Sequence, residues 1–205
     1  VGLTSSITYD GTLNVPEPNK PLVVGIGGGA SENSSTEQAL DLALDEVRRD
    51  GARTCKFGAE EIGRLPHYLT PAAQTSTGAR EMVDMIRQAR GLVIASPAYH
   101  GSISGVVKNA LDYIEETARD ARPYLTDLPV GLIAIAAGNQ GATGALIAMR
   151  TIVHSLRGWP TPFGATINSS SGLFRDGRCI YSDAEEQIRR VGAQVARFTQ
   201  WVVAD

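Results

Sequence analysis

Five runs with strand character alternate with segments whose apolar residues recur at helical spacing: LVVGI at 22–26, RTCKF at 53–57, GLVIA at 91–95, VGLIAIAAG at 130–138 and PFGATI at 162–167. This alternation constrains the fold more than any other feature. A strand that rejoins its sheet in the same direction needs a crossover, and a helix is the usual one. The runs at 22–26 and 91–95 are continuously apolar rather than alternating, as expected of strands covered on both faces. The pattern predicts an α/β domain built on a doubly wound parallel sheet with helices on both faces.

Between the runs, Ala39, Leu40, Ala43, Leu44 and Val47 mark a helix that starts at Ser35, with Ser35 and Gln38 as a capping box and Gly51 as the stop. Met82, Val83, Ile86 and Ala89 mark a second helix over 76–90, and the stretch before it reads as irregular to about residue 74. Val106, Val107, Ala110, Leu111 and Ile114 mark a third, capped by Ser104. GNQGATG at 138–144 reads as a glycine-spaced turn leading into a helix that ends near Leu156. The last helix runs from Ser182, with Glu185 completing a capping box and Ile188, Val191, Val195, Phe198 and Val202 as its buried stripe.

With 205 residues, 42% of them hydrophobic, the chain can bury the core of one domain. Residues 1–21 are polar and proline-studded and are expected to form an N-terminal arm, leaving 22–205 as the domain. A net charge of −3, a pI near 5.7 and no run of more than two adjacent basic residues argue against a nucleic-acid partner or an anionic membrane surface. No apolar run approaches the length of a membrane span and no export pattern opens the chain, so a soluble, cytoplasmic protein is expected. Cys55 and Cys179 form neither a CxxC pair nor, with His67, His100 and His154, a metal-ligand spacing.

In doubly wound sheets, ligands bind outside the carboxyl ends of the strands, where the strand order reverses. The loops after strands one, three and four are therefore the candidates. The first, GGGASENSST at 27–36, joins glycines to a hydroxyl cluster at a helix N-terminus, a setting suited to an anion such as phosphate. No lysine follows the glycines, so the triphosphate-binding GxxxxGK[ST] loop is absent. GIGGGA at 25–30 satisfies the dinucleotide string, yet the second strand ends at Lys56 and Phe57 with no acidic residue to hold a ribose.

The segment SPAYHGSISGVVKNALD, Ser96 to Asp112, resembles the signature of the NADPH-dependent FMN reductase family, the flavodoxin-like flavoproteins that include quinone reductases and azoreductases. The resemblance extends over about 22–203. It implies a five-stranded flavodoxin-like sheet of order 2-1-3-4-5 with FMN across the three loops. In that arrangement Ser31, Ser34, Ser35 and Thr36 meet the phosphate, with backbone help from Gly28. Pro97, Ala98, Tyr99, His100, Gly101 and Ser102 wall the ring, and Gly138, Asn139, Gly141 and Gly144 border it from the fourth loop. Many members carry an arginine in the first loop, where this chain has Ala30, Ser31, Glu32 and Asn33. Glu32 would repel a phosphate if it pointed inward.

The activity so implied is an NAD(P)H-dependent flavin oxidoreductase that uses FMN with NADPH or NADH and needs no catalytic side chain. His100 is expected to contribute backbone contact, and Lys108, Asn109 and Asp112 to serve structure or a subunit interface. The partners implied are a nicotinamide nucleotide and a small acceptor such as a quinone, an azo compound, a metal oxyanion or a second flavin. A flavin-dependent monooxygenase taking up reduced FMN is a further one, and the assembly is expected to be a homodimer or homotetramer. Two other readings stand beside this one: a flavodoxin-type electron carrier, and a nicotinamide-nucleotide binder that uses GIGGGA without flavin.

Overall fold

The structure, a computed structural model, describes residues 20–29 and 34–201. Most of the expected N-terminal arm lies outside them. In chain order the elements are β1 (Leu22–Gly27), α1 (Ser35–Arg49), β2 (Arg53–Phe57), α2 (Ala59–Gly63), α3 (Pro71–Thr75), α4 (Thr77–Gln88), β3 (Gly91–Tyr99), β4 (Ser102–Ile103) and α5 (Gly105–Asp112). A 3-10 turn at Tyr113–Thr117 follows, then β5 (Pro129–Ala136), α6 (Asn139–Ser155), β6 (Trp159–Pro160), β7 (Ala165–Asn168), β8 (Phe174–Arg175), β9 (Arg178–Cys179) and α7 (Ser182–Trp201).

The five expected strands pair in parallel in the order β2-β1-β3-β5-β7. The strand expected at 162–167 is β7, which starts only at Ala165, and two-residue β6 lies before it on the same edge of β5, with Pro162 between the two. The stretch expected to be irregular contains the single-turn helices α2 and α3.

The sheet divides the core into two apolar layers. Val24, Ile26, Leu92, Ile94, Leu132 and Ala134 face α4, α5 and α6. Val23, Val93, Ala95, Ile133 and Ile135 face α1 and α7. Successive strand residues point to opposite faces, so both faces of these strands bury aliphatic side chains, each worth about 1.5–3 kcal/mol on burial. The apolar runs are continuous for this reason.

Two helix starts differ from expectation. The N-cap of α1 is Ser34, whose Oγ accepts from Glu37 N at 3.2 Å; Ser35 is already helical. At α7, Ser182 is helical and Glu185 N donates to Tyr181 O, while the Glu185 carboxylate pairs with Arg189 rather than closing a box. Of the α7 stripe, Ile188, Val191 and Val195 are buried, Phe198 packs edge-on against Trp201 with centroids 4.8 Å apart, and Val202 lies outside the described residues. Among the described residues no helix is long and apolar enough to cross a membrane.

Candidate flavin site

The carboxyl ends of β1, β3 and β5 are neighbours in the sheet, so the three loops share one rim. At strand spacing, the first and fourth loops stand about 10 Å apart with the third between them.

At the end of β1, Gly28 lies so close to the start of α2 that a Cβ there would be 2.7 Å from Ala59 N. Ser34 ties the loop to its helix: its Oγ accepts from Gly29 N at 2.9 Å as well as from Glu37 N. The hydroxyl keeps its proton for donation. Ser35 and Thr36, the first two residues of α1, have backbone N–H groups with no acceptor inside the helix. Ser35 is half-buried and Thr36 buried. Ser31 lies outside the described residues, as do Ala30, Glu32 and Asn33.

At the third loop the structure corrects the expected boundary. β3 runs on through Ser96, Pro97 and Ala98 to Tyr99 and folds back into β4. Pro97 is tolerated because β1 has already ended, at the Gly27–Ala95 pair, so that side of β3 has no ladder to interrupt. Tyr99 pairs with Ser102, and the two residues between them, His100 at φ 48° and Gly101 at φ 85°, are both left-handed, as a tight two-residue hairpin requires. What sequence reading took for a loop is a hairpin that presents its backbone to the rim. Tyr99, His100, Gly101 and Ser102 are exposed, and Pro97 and Ala98 half-buried.

Sequence reasoning missed Ser96, the first residue of the signature. It is fully buried; its Oγ donates to Pro97 O at 2.8 Å and accepts from Ser104 N at 3.0 Å, clamping the base of the hairpin. Ser104 then caps α5 by accepting from Val107 N at 3.2 Å, as expected. Asn109 also proves structural: it bonds Tyr68 N and Pro66 O and holds the 64–70 segment to α5. Lys108 and Asp112 pair with one another on the surface of α5.

At the fourth loop, α6 begins at Asn139, immediately after N-cap Gly138. Gly141 and Gly144 are therefore helical rather than parts of a turn. They bring α6 close to the hairpin: a Cβ on Gly144 would sit 3.3 Å from Gly101 O, and one on Gly141 3.9 Å from the Ala98 Cβ. A Cβ on Gly138 or on Gly101 would meet nothing within 4 Å. No side chain caps the N-terminus of α6, which leaves its first N–H groups pointed at the rim. Asn139 Oδ1 accepts from Asn168 Nδ2 at 3.3 Å, and beside it opens a cleft of about 590 Å³ bounded by Thr166, Ser171, Tyr181 and Ser182.

Lys56, near the end of β2, pairs with two carboxylates of α1. Its Nζ lies 3.3 Å from Glu37 Oε1 and 2.8 Å from Asp41 Oδ1. Burial works against its charge, but the bonds to Asp41 and Glu37 outweigh burial and hold its pKa above the ordinary lysine value. Asp41 does not show the lowering that an ion pair alone would give: desolvation raises its pKa by more than Lys56 lowers it.

Residues 21–171 match the sequence pattern of the NADPH-dependent FMN reductase family. The chain belongs to that family. Among relatives of this FMN reductase family member, the FMN-dependent NADPH-azoreductase of Staphylococcus haemolyticus (strain JCSC1435) is 35% identical over 120 residues, 57% of this chain and 58% of that protein. The enzyme of the same name from Staphylococcus aureus (strain USA300) is 38% identical over 102 residues, 48% and 49%. The chain thus matches about half the length of these curated relatives. An oxidoreductase from Corynebacterium diphtheriae superposes with a TM-score of 0.70 at 21% identity, covering 89% of this chain and 98% of that one. An NADH:FMN oxidoreductase superposes at 0.65 and 21%, covering 91% and 92%. At such identities the likeness to these two structures speaks for the flavodoxin-like fold alone.

Proposed function

We propose that this FMN reductase family member binds FMN across the three rim loops and passes reducing equivalents from NADPH or NADH to a small acceptor. One observation carries the reading. A backbone hairpin stands between two helix N-termini, α1 and α6, with glycines at the positions that face open space.

The donor set fits the group. Phosphate would take the Ser34 hydroxyl, the Ser35 and Thr36 amides and backbone near Gly28, each bond to a charged acceptor being worth about 1.5–3 kcal/mol. A flat ring would lie against Pro97, Ala98, Tyr99, His100, Gly101 and Ser102, with Gly138, Asn139 and Gly141 along its border. Bound there, FMN supplies two-electron exchange with a nicotinamide, chemistry that needs no acid or base from the protein. The protein's part is to grip, orient and shield. The azoreductase names of the relatives support azo compounds and quinones among the acceptors.

The same reading has the protein working in the cytoplasm as a homodimer or homotetramer, with delivery of reduced FMN to a flavin-dependent monooxygenase as a further route. Apolar side chains left exposed next to the hairpin, Tyr99, Val106 and Ile147, support an assembly that covers them. Sedimentation of the purified chain tests this.

The deciding experiment is steady-state oxidation of NADPH by the FMN-loaded chain with a quinone, an azo dye or free FMN as acceptor. Turnover above the uncatalysed rate is expected. A chain that binds FMN without such turnover would be an electron carrier instead, and one that neither binds FMN nor turns over would remove the reading.

A further inference from the structure

A carboxylate stands in the first turn of α1, beside the place assigned to the phosphate. Glu37 is the third residue of that helix, and its side chain is only 13% exposed. It lies against Gly58, where any Cβ would overlap the Glu37 carboxylate. The next residue, Ala59, is the one on which Gly28 of the first loop packs. Glu61 adds a second carboxylate to this corner by accepting from Gly58 N at 2.8 Å. An acidic group near a helix N-terminus favours the helix. It also repels any phosphate bound there, and in a partly buried corner solvent screens that repulsion poorly.

Lys56 answers this charge. In the β1–β2 register it stands opposite Gly25, on the side of the sheet where Leu40 and Leu44 of α1 pack. From there its ammonium reaches both Glu37 and Asp41, one turn apart on α1. Loop residues 28–29 and 34 and the first two residues of α1 contain no lysine or arginine.

We propose that Lys56 is a positioning residue for the flavin phosphate: it does not touch the phosphate, and it offsets part of the charge of Glu37 so that the N-terminus of α1 accepts a dianion. The proposal rests on the FMN reading above and explains how a first loop without an arginine in the described residues can hold a phosphate. The basic partner stands behind the helix, on the neighbouring strand.

Titration of FMN and of riboflavin, which lacks the phosphate, followed by quenching of flavin fluorescence, tests it. Lys56→Met is expected to weaken FMN by on the order of tenfold and to leave riboflavin unchanged. Lys56→Arg should keep the preference for FMN, and Lys56→Met combined with Glu37→Gln should regain most of it. Glu37→Gln alone, which tests the idea even if Lys56→Met does not fold, should bind FMN at least as tightly as the native chain. A native chain with no preference for FMN over riboflavin overturns the phosphate assignment and this proposal with it. A native preference that survives Lys56→Met, that Glu37→Gln fails to rescue, or that Glu37→Gln alone destroys overturns only the role given to Lys56.

Discussion

Gly138 offers the cleanest single-residue test of the rim. Its backbone is extended, at φ −156° and ψ 149°, which any residue adopts, and the space in front of it is open. Gly138→Leu should therefore fill the ring's border without straining the chain, weakening flavin binding by on the order of tenfold while the melting temperature changes little. Calorimetric titration and a thermal melt of the same variant check both halves. Gly101 is a poorer choice, because its left-handed φ of 85° would charge a substituted side chain about 1–3 kcal/mol in backbone strain before any ligand arrived. At this scale the sequence was legible where chemistry and geometry coincide, as at Ser104, whose capping role follows from its place before an apolar helical stripe. It placed the cap of α1 at Ser35, one residue late, because Ser34, Ser35 and Thr36 all suit an N-cap. Gly29 N decides among them by bonding Ser34, a contact no spacing rule contains.

At the level of elements, glycines inside α6 misled the reading. GNQGATG has turn composition, yet it forms the first turns of α6, because Gly144 is needed where Gly101 O comes close. Gly192 plays the same part in α7: a Cβ there would overlap Ala43 O of α1. In an isolated helix, Gly→Ala stabilises by about 1 kcal/mol. Here Gly192→Ala is expected to destabilise by about 1–3 kcal/mol, since α1 and α7 must move apart to admit the methyl group. Urea unfolding measures the sign, and a stabilised variant would contradict the close crossing. The hairpin of β3 and β4 was hidden for a related reason. Proline and glycine in PAYHGS signal a loop, and only the one-sided ladder beyond Ala95 shows how Pro97 stays in a strand.

For the molecule as a whole, layering was legible because it follows from alternation and continuous apolar runs, while the strand order came with the resemblance carried by Ser96 to Asp112. The gap between β6 and β7 was not legible, since Pro160 and Pro162 make that edge irregular without changing its hydrophobicity. Stability as a function of pH also belongs to this scale. Burial pushes the Cys55 thiol up from 9.0 to about 11, with Glu81 and Glu61 adding to it. The fold favours the protonated thiol, so its contribution is complete below pH 9.0 and is lost as pH rises toward about 11. Tyr68 and Tyr113, raised by burial from 10.0, act in the same direction at higher pH. Melting temperature should fall as pH rises above 9.0, and Cys55→Val should move the onset toward 10.0, where the tyrosines take over. An onset unmoved in that variant would mean the thiol does not govern it.

The meeting of Gly144 with Gly101 O has one more consequence. Main chain rests on main chain there, and such a seam has no side-chain torsion to rotate out of the way. Hairpin and helix can part only by travelling as rigid bodies, so guests of different shapes must adapt to a stiff wall. Breadth of substrate would then have to come from the open side of the crevice, where bordering side chains can still turn.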